Sequence, residues 1–171
     1  MCEKQKPDII FVLSIDTEEE WDWSGEFPQQ DFMVSNVQKI PSFQKFCETL
    51  NIRPTYFADY AVLDNPQSVE ILKSIAKNNH CEIGAHLHPW CNPPYYGKTT
   101  EKESHVVNLP IEQVEKKLDA LIALIEKSFG IMPNAFRTGR WGINSEVLTL
   151  LEKKGFGIDS SMYPFFKNEF F

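Results

Sequence analysis

Two histidines separated by one residue, His86 and His88, stand in the run C-E-I-G-A-H-L-H-P-W-C at residues 81 to 91. Cys81, Ile83, Ala85 and Leu87 alternate with Glu82, Gly84, His86 and His88, which is the period of a strand whose successive side chains point to opposite faces. Both imidazoles therefore face the same way, and Pro89 keeps His88 extended. Two imidazoles held side by side can share one divalent ion; the other reading is a pair of hydrogen-bonded or surface histidines. Cys91 is near enough to serve as a third ligand, or it packs as a buried thiol.

Carboxylates are concentrated elsewhere. Asp16, Glu18, Glu19, Glu20 and Asp22 are interleaved with Trp21 and Trp23 rather than with lysines. Carboxylates so close repel one another unless a positive charge sits among them, and a metal would supply it for Asp16 and Glu18. Glu19, Glu20 and Asp22 read as a solvated loop.

The elements that position these groups alternate between two periods. Residues 8 to 15 form a nearly continuous apolar, β-branched run, the pattern of a strand buried on both faces of a parallel sheet. Asp16 and Glu18 share its Ile10, Val12, Ser14 side. A helix follows a loop at 24 to 36, with Val37, Ile40, Phe43, Phe46, Cys47 and Leu50 inward and Pro41 in its first turn. A strand at 55 to 58 leads to Asp59 and Tyr60. A helix over 67 to 78 stops at Asn78 and Asn79, and the histidine strand comes next. A long loop at 91 to 108 carries Tyr95 and Tyr96, a candidate stacking platform for a sugar. The longest helix spans 110 to 129 and closes at Gly130; a strand at 134 to 137 precedes Arg140 and Trp141. Asn144 caps a further helix that ends at Gly155, before a strand at 156 to 159.

Five strands separated by helices predict an α/β fold with a parallel sheet and right-handed crossovers. Each strand except the first ends beside one or two polar groups, Asp59, His86 with His88, Arg137 and Asp159, and the first ends at Asp16 and Glu18. Such convergence at the carboxyl edge is how barrel enzymes are built.

Composition limits the partners. The chain has 171 residues, 42% hydrophobic and 24% charged, with a formal charge of -7, which suits one domain. That acidity argues against nucleic acid and against an anionic membrane surface. The apolar run near the N-terminus is too short for a signal peptide or membrane helix, so a cytoplasmic location is expected. Four scattered cysteines do not form a disulfide framework.

The segments Ser14-Ile15-Asp16-Thr17-Glu18, Glu82-Ile83-Gly84-Ala85-His86, Phe136-Arg137-Thr138-Gly139 and Asp159-Ser160-Ser161 together resemble the polysaccharide deacetylase (NodB-homology) family, over most of the chain. The branch most similar carries a D-x-E first motif and an H-x-H-P-W second motif and is associated with cell-surface polysaccharides. The resemblance implies a distorted (β/α) barrel that removes N-acetyl groups from an amino sugar with a divalent metal. Zinc is the expected ion, with Co, Mn or Ni as alternatives. It implies Asp16 as general base, Glu18 and His86 as metal ligands, Arg137 as the residue that orients the base, and Asp159 as support for the general acid. Trp21, Asp59, Trp90, Tyr95, Arg140 and Trp141 are expected on the substrate side.

Three departures accompany the resemblance. The second histidine of the family pattern falls four residues after the first, where this chain has Trp90, so either His88 serves instead or the site lacks one ligand. The proline two residues after the arginine is Gly139. The late leucine-and-histidine motif that provides the general acid is missing. The aromatic residues 165 to 171 and a length well short of a full barrel further imply an incomplete barrel, truncated at its C-terminus. Further chain, a partner subunit or a second copy is expected to cover the open side. A glycan-binding or regulatory pseudoenzyme and a hydrolase of a small non-sugar amide are the competing readings.

Overall fold

The computed structural model describes residues 10–165. Its frame is one parallel sheet in which the strands lie in chain order: β1 (Ser14–Thr17), β2 (Thr55–Ala58), β3 (Glu82–Leu87), β4 (Ala135–Thr138) and β5 (Ile158–Asp159). Helix α1 (Ile40–Thr49) joins β1 to β2, α2 (Tyr60–Asp64) and α3 (Pro66–Ala76) join β2 to β3, α4 (Ile111–Phe129) leads to β4, and α5 (Ser145–Lys154) leads to β5. The fold is thus the expected α/β arrangement, part of a (β/α) barrel.

The helix ends follow their capping residues. The side chains of Asn65 and Asn144 accept hydrogen bonds from the Ser68 and Val147 amides and open α3 and α5, with Pro66 in the first turn of α3. Gly130 and Gly155 close α4 and α5 in the left-handed conformation. The short α2, which the periodicity does not reveal, exists because Asp59 caps it through the Val62 amide at 2.8 Å.

The core lies between the sheet and its helices. Tyr56, Ile83, Leu87 and Phe136 pack there against Leu72, Leu118, Leu121 and Ile125. Full burial of each aliphatic side chain contributes roughly 2 kcal/mol.

Two expectations about faces need correction. Strand β1 begins at Ser14, and Ile10, Phe11 and Val12 are exposed, because β2 starts at Thr55, opposite Ser14, and offers no earlier partner. Residues 8 and 9 of the expected strand, and 166 to 171 of the aromatic tail, lie outside the described residues. On α1, Cys47 is buried as expected, but Phe43, Phe46 and Leu50 face solvent, and Gln44 is buried instead. The rotation has a polar cause: Gln44 accepts from the Tyr56 hydroxyl at 3.0 Å and donates to the His80 carbonyl at 3.1 Å.

The sheet curls strongly. Strands spaced at about 4.8 Å would put β1 and β5 about 19 Å apart in a flat sheet. Yet the Arg137 guanidinium on β4 hydrogen-bonds Ser14 of β1 at 2.8 Å and Ser160, just past β5, at 2.7 Å. One side chain spans both only because the outer strands β1 and β5 curl toward each other. No helix among the described residues is long and apolar enough to cross a membrane.

Candidate functional site

The carboxyl ends of β1 and β3 bring Glu18, His86 and His88 together. His86 Nε2 and His88 Nε2 lie 3.1 and 3.3 Å from the same oxygen of Glu18, and the two rings are 4.6 Å apart. Both imidazoles are buried, while Glu18 keeps some exposure. The expectation from strand period is met, although β3 itself ends at Leu87 and His88 is the first residue beyond it.

The outer nitrogens of both rings are committed elsewhere. His86 Nδ1 lies 3.1 Å from the Arg137 carbonyl, and His88 Nδ1 lies 3.0 Å from Glu19 Oε2. These acceptors place a proton on each Nδ1 and turn both Nε2 lone pairs toward Glu18. Three acceptor atoms then face one another with no donor of their own, an arrangement that only a proton or a cation relieves. The donor set, two imidazoles and a carboxylate, fits a zinc-like ion with an open position.

The electrostatics agree. Burial alone would raise the Glu18 carboxyl, but hydrogen bonds from His86 and His88 and their charge outweigh it and hold Glu18 well below the usual carboxylate range. Burial would lower His88, yet Glu18 and Glu19 raise it to about 10. In the absence of a metal, a proton on His88 takes the cation's place.

Beneath His88 is a second, sealed cluster. Glu19 and Asp59 are both buried, and the Glu19 amide donates to Asp59 Oδ2 at 3.2 Å. Trp90 Nε1 donates to Glu19, its ring stacks on His88 at 4.2 Å, and Cys91 Sγ lies 3.7 Å from Asp59 Oδ2. Burial opposes ionisation of Glu19, but hydrogen bonds with Asp59 and His88 hold it down to about 2. Burial, with the hydrogen bond and charge of Glu19, pushes Asp59 well above its ordinary value. One carboxylate thus keeps the charge and the other the proton.

Asp16 and Arg137 form the other half of the site. Arg137 Nη1 donates to Asp16 Oδ1 at 2.5 Å, and its Nε donates to the Ser160 carbonyl at 3.1 Å. Its guanidinium lies over the Phe57 ring at 4.3 Å. Gly84 makes that contact possible, since a Cβ there would lie 2.7 Å from the Phe57 ring. Through its carbonyl Arg137 also orients His86, so one residue touches both the ligand set and the carboxylate beside it.

The remaining expected residues separate into two groups. Asp59 and Trp90, expected on the substrate side, are fully buried under His88 and cannot touch a substrate; they are corrected to support of the histidine. Cys91 sits with them, on the far side of His88 from Glu18. Asp159 holds Ser161, accepting its hydroxyl at 2.5 Å, and Ser161 in turn accepts from the Thr138 amide. Trp21, Arg140 and Trp141 are half-buried, and Tyr95 is exposed. Arg140 pairs with Glu101 at 2.6 Å near the rings of Trp23 and Phe27. Trp141 lies 5.0 Å from the Arg137 guanidinium, and Tyr95 donates to the Cys91 carbonyl. Arg140 and Trp141 both adopt left-handed backbone, an uncommon conformation for bulky residues that clusters at functional sites.

Two residues were not legible beforehand. Glu19, read as part of a solvated loop, is the partner of His88; the signal was the need of any ligating imidazole for an acceptor on its other nitrogen. Lys117 of α4 is buried, and its amine donates to the carbonyls of Pro89, Asn92 and Pro94 at 2.8, 2.5 and 2.8 Å. It ties down the segment that carries Trp90, and burial lowers its amine to about 8.

Comparison with known proteins places this architecture. No family model matches the sequence, and no curated protein matches it. Solved structures do. The BpsB deacetylase domain from Bordetella bronchiseptica superposes with a TM-score of 0.60 at 12% identity, over 90% of this chain and 64% of that one. The chitin deacetylase of Colletotrichum lindemuthianum gives 0.56 at 12% identity, over 87% and 54%. A CE4 family pseudoenzyme from Bacillus anthracis gives 0.56 at 12% identity, over 86% and 42%. The fold is that of the polysaccharide deacetylases. The chain spans less than two thirds of the length of each of these structures.

Proposed function

We propose that the chain is a metal-dependent hydrolase that removes N-acetyl groups from an amino sugar or a polysaccharide. The observation that carries this reading is the convergence of Glu18, His86 and His88, with both Nε2 atoms turned toward one oxygen of Glu18, beside an Asp16 held by Arg137. Glu18, His86 and His88 would hold the ion, whose chemistry when bound is that of a Lewis acid toward an acyl oxygen and its attacking water.

The chain's own residues supply the rest. Asp16 is the one carboxylate of the group with substantial solvent access and no imidazole on it, which suits a general base that takes a proton from water. Arg137 orients it through a charge-assisted bond. Asp159 acts through Ser161 and the Thr138 amide, as a support to the loop after β4. Trp21, Trp141 and Tyr95 offer half-exposed rings to a pyranose face, with Arg140 among them.

Acetate release from N-acetylglucosamine oligomers in the presence of zinc tests the reading. Asp16→Asn is expected to lower turnover at least 100-fold while leaving bound metal unchanged. Turnover that survives this substitution would remove Asp16 from the mechanism.

A second reading, binding of a glycan without turnover, is favoured by the histidines. His80, the exposed histidine among the described residues, pairs with Glu48 just before the start of β3, at the opposite end of that strand from His86, and is not placed to protonate a leaving amine. Oligosaccharide binding by the zinc-loaded protein, with no acetate released, would select it.

A further inference from the structure

In the structure, the ring of His88 is confined on three sides. Trp90 stacks on one face, Glu19 meets Nδ1 at 3.0 Å, and the backbone of Gly139 lies against the opposite edge. A Cβ built on Gly139 would fall 2.1 Å from His88 Cδ2 and 2.8 Å from Nε2, far inside contact distance. Glycine is not required there by the backbone, because Gly139 is not among the glycines with positive φ. The demand for a bare Cα comes from the imidazole, with a tighter-than-usual approach to the Leu87 carbonyl at 3.0 Å as the lesser contact. Gly139 is itself fixed by donating its amide to that same carbonyl at 2.8 Å.

We propose that Glu19 and Gly139 are positioning residues that make His88 the second imidazole of the site, so that the histidine at i+2 and the glycine at 139 are one device. This rests on the reading of Glu18, His86 and His88 as a metal site. Gly139 opens the volume that the His88 ring fills. Glu19 holds the proton of His88 on Nδ1 and so presents Nε2 beside that of His86. Asp59 keeps Glu19 in place, accepting from its amide while Val62 anchors the other Asp59 oxygen. The inner group does not read as a second cation site. Its carboxylate oxygens already accept from Trp90, His88, Glu19, Val62 and Cys91, and a metal would have to displace donors rather than fill a gap. The two departures at 88 and 139 are thus coupled through space: either change alone leaves a clash or an empty slot.

The test has two arms. In metal-free protein, a double-mutant cycle is run with Gly139→Ala and His88→Ala. Gly139→Ala is expected to lower the melting temperature by about 4–8 °C in the wild-type background and to have almost no effect once His88 is alanine. Equal effects in both backgrounds would overturn the role of Gly139. In the second arm, zinc affinity and the nitrogen-15 shifts of the His88 ring are measured in Glu19→Gln. A 10- to 100-fold loss of affinity, with the Nδ1 proton signal of the zinc-loaded protein shifted, is expected. An unchanged His88 spectrum and affinity would overturn the role of Glu19. If the wild-type protein takes up no zinc, the metal reading fails, and the cycle still judges the coupling of His88 to Gly139.

Discussion

On the Nε2 side of the His88 ring stand Glu18 and His86; on the Nδ1 side stand Glu19, Asp59 and Cys91. The residue types are much the same, and the two groups share one imidazole. They differ in where the hydrogens are. Every carboxylate of the inner group accepts from a nearby N–H or S–H, including Trp90, Val62 and the Glu19 amide, and the whole is closed to solvent. The outer group points acceptors at one another and retains solvent access through Glu18. A list of ligand types would treat both as metal sites. Hydrogen-bond accounting separates a filled network that orients from an unfilled one with the donor set to hold a cation.

The sharpest break of this comparison is ligand removal. Glu18→Ala or His86→Ala is expected to abolish stoichiometric zinc uptake, a loss larger than the 10- to 100-fold typical of supporting partners, whereas Cys91→Ala leaves affinity within about threefold. Mass spectrometry of protein purified without chelators reads this directly. Equal loss from Cys91→Ala would merge the two groups into one site.

A pH series on chelated protein sharpens the outer side. The groups facing His88 are Glu18, Glu19, Asp59 and His86. Its folded value of about 10 lies above the ordinary 6.5, so its contribution to stability is fully present below pH 6.5 and is lost as pH rises through about 10. Melting temperatures between pH 6 and 10 should therefore fall with pH, and His88→Gln should flatten the slope. An identical slope in that variant would refute the assignment.

On the inner side, Asp59→Ala removes a helix cap and leaves the amides of Glu19 and Val62 and the Cys91 thiol without their acceptor. We expect a loss of about 2–4 kcal/mol in urea unfolding, and a smaller one for Asp59→Asn, which can still cap α2. Lys117→Met strips a donor from three buried carbonyls and should cost about 1–3 kcal/mol. Phe46→Ser, on the solvent face of α1, should change stability by no more than about 0.5 kcal/mol. A large loss there would show that this face is covered in solution.

Local pattern determined much of this protein by itself. The alternation through His86 and His88 put both rings on one side, the asparagines and glycines at the helix ends placed α3, α4 and α5, and the strand-helix order dictated a parallel sheet. These follow from backbone period and capping, which act over a few residues. The tertiary structure alone decided which acids are buried and which face of α1 turns inward. Glu19 departs from a solvated loop because β1 has ended at Thr17 and alternation no longer governs it, so the imidazole of a distant strand captures its carboxylate. Gln44 displaces two phenylalanines from the inner face because Tyr56, on a neighbouring strand, needs an acceptor. Gly139 is a glycine on account of a ring 51 positions earlier in the chain. Each of these outcomes rests on a hydrogen bond or a steric limit between residues far apart in sequence, which no local period encodes.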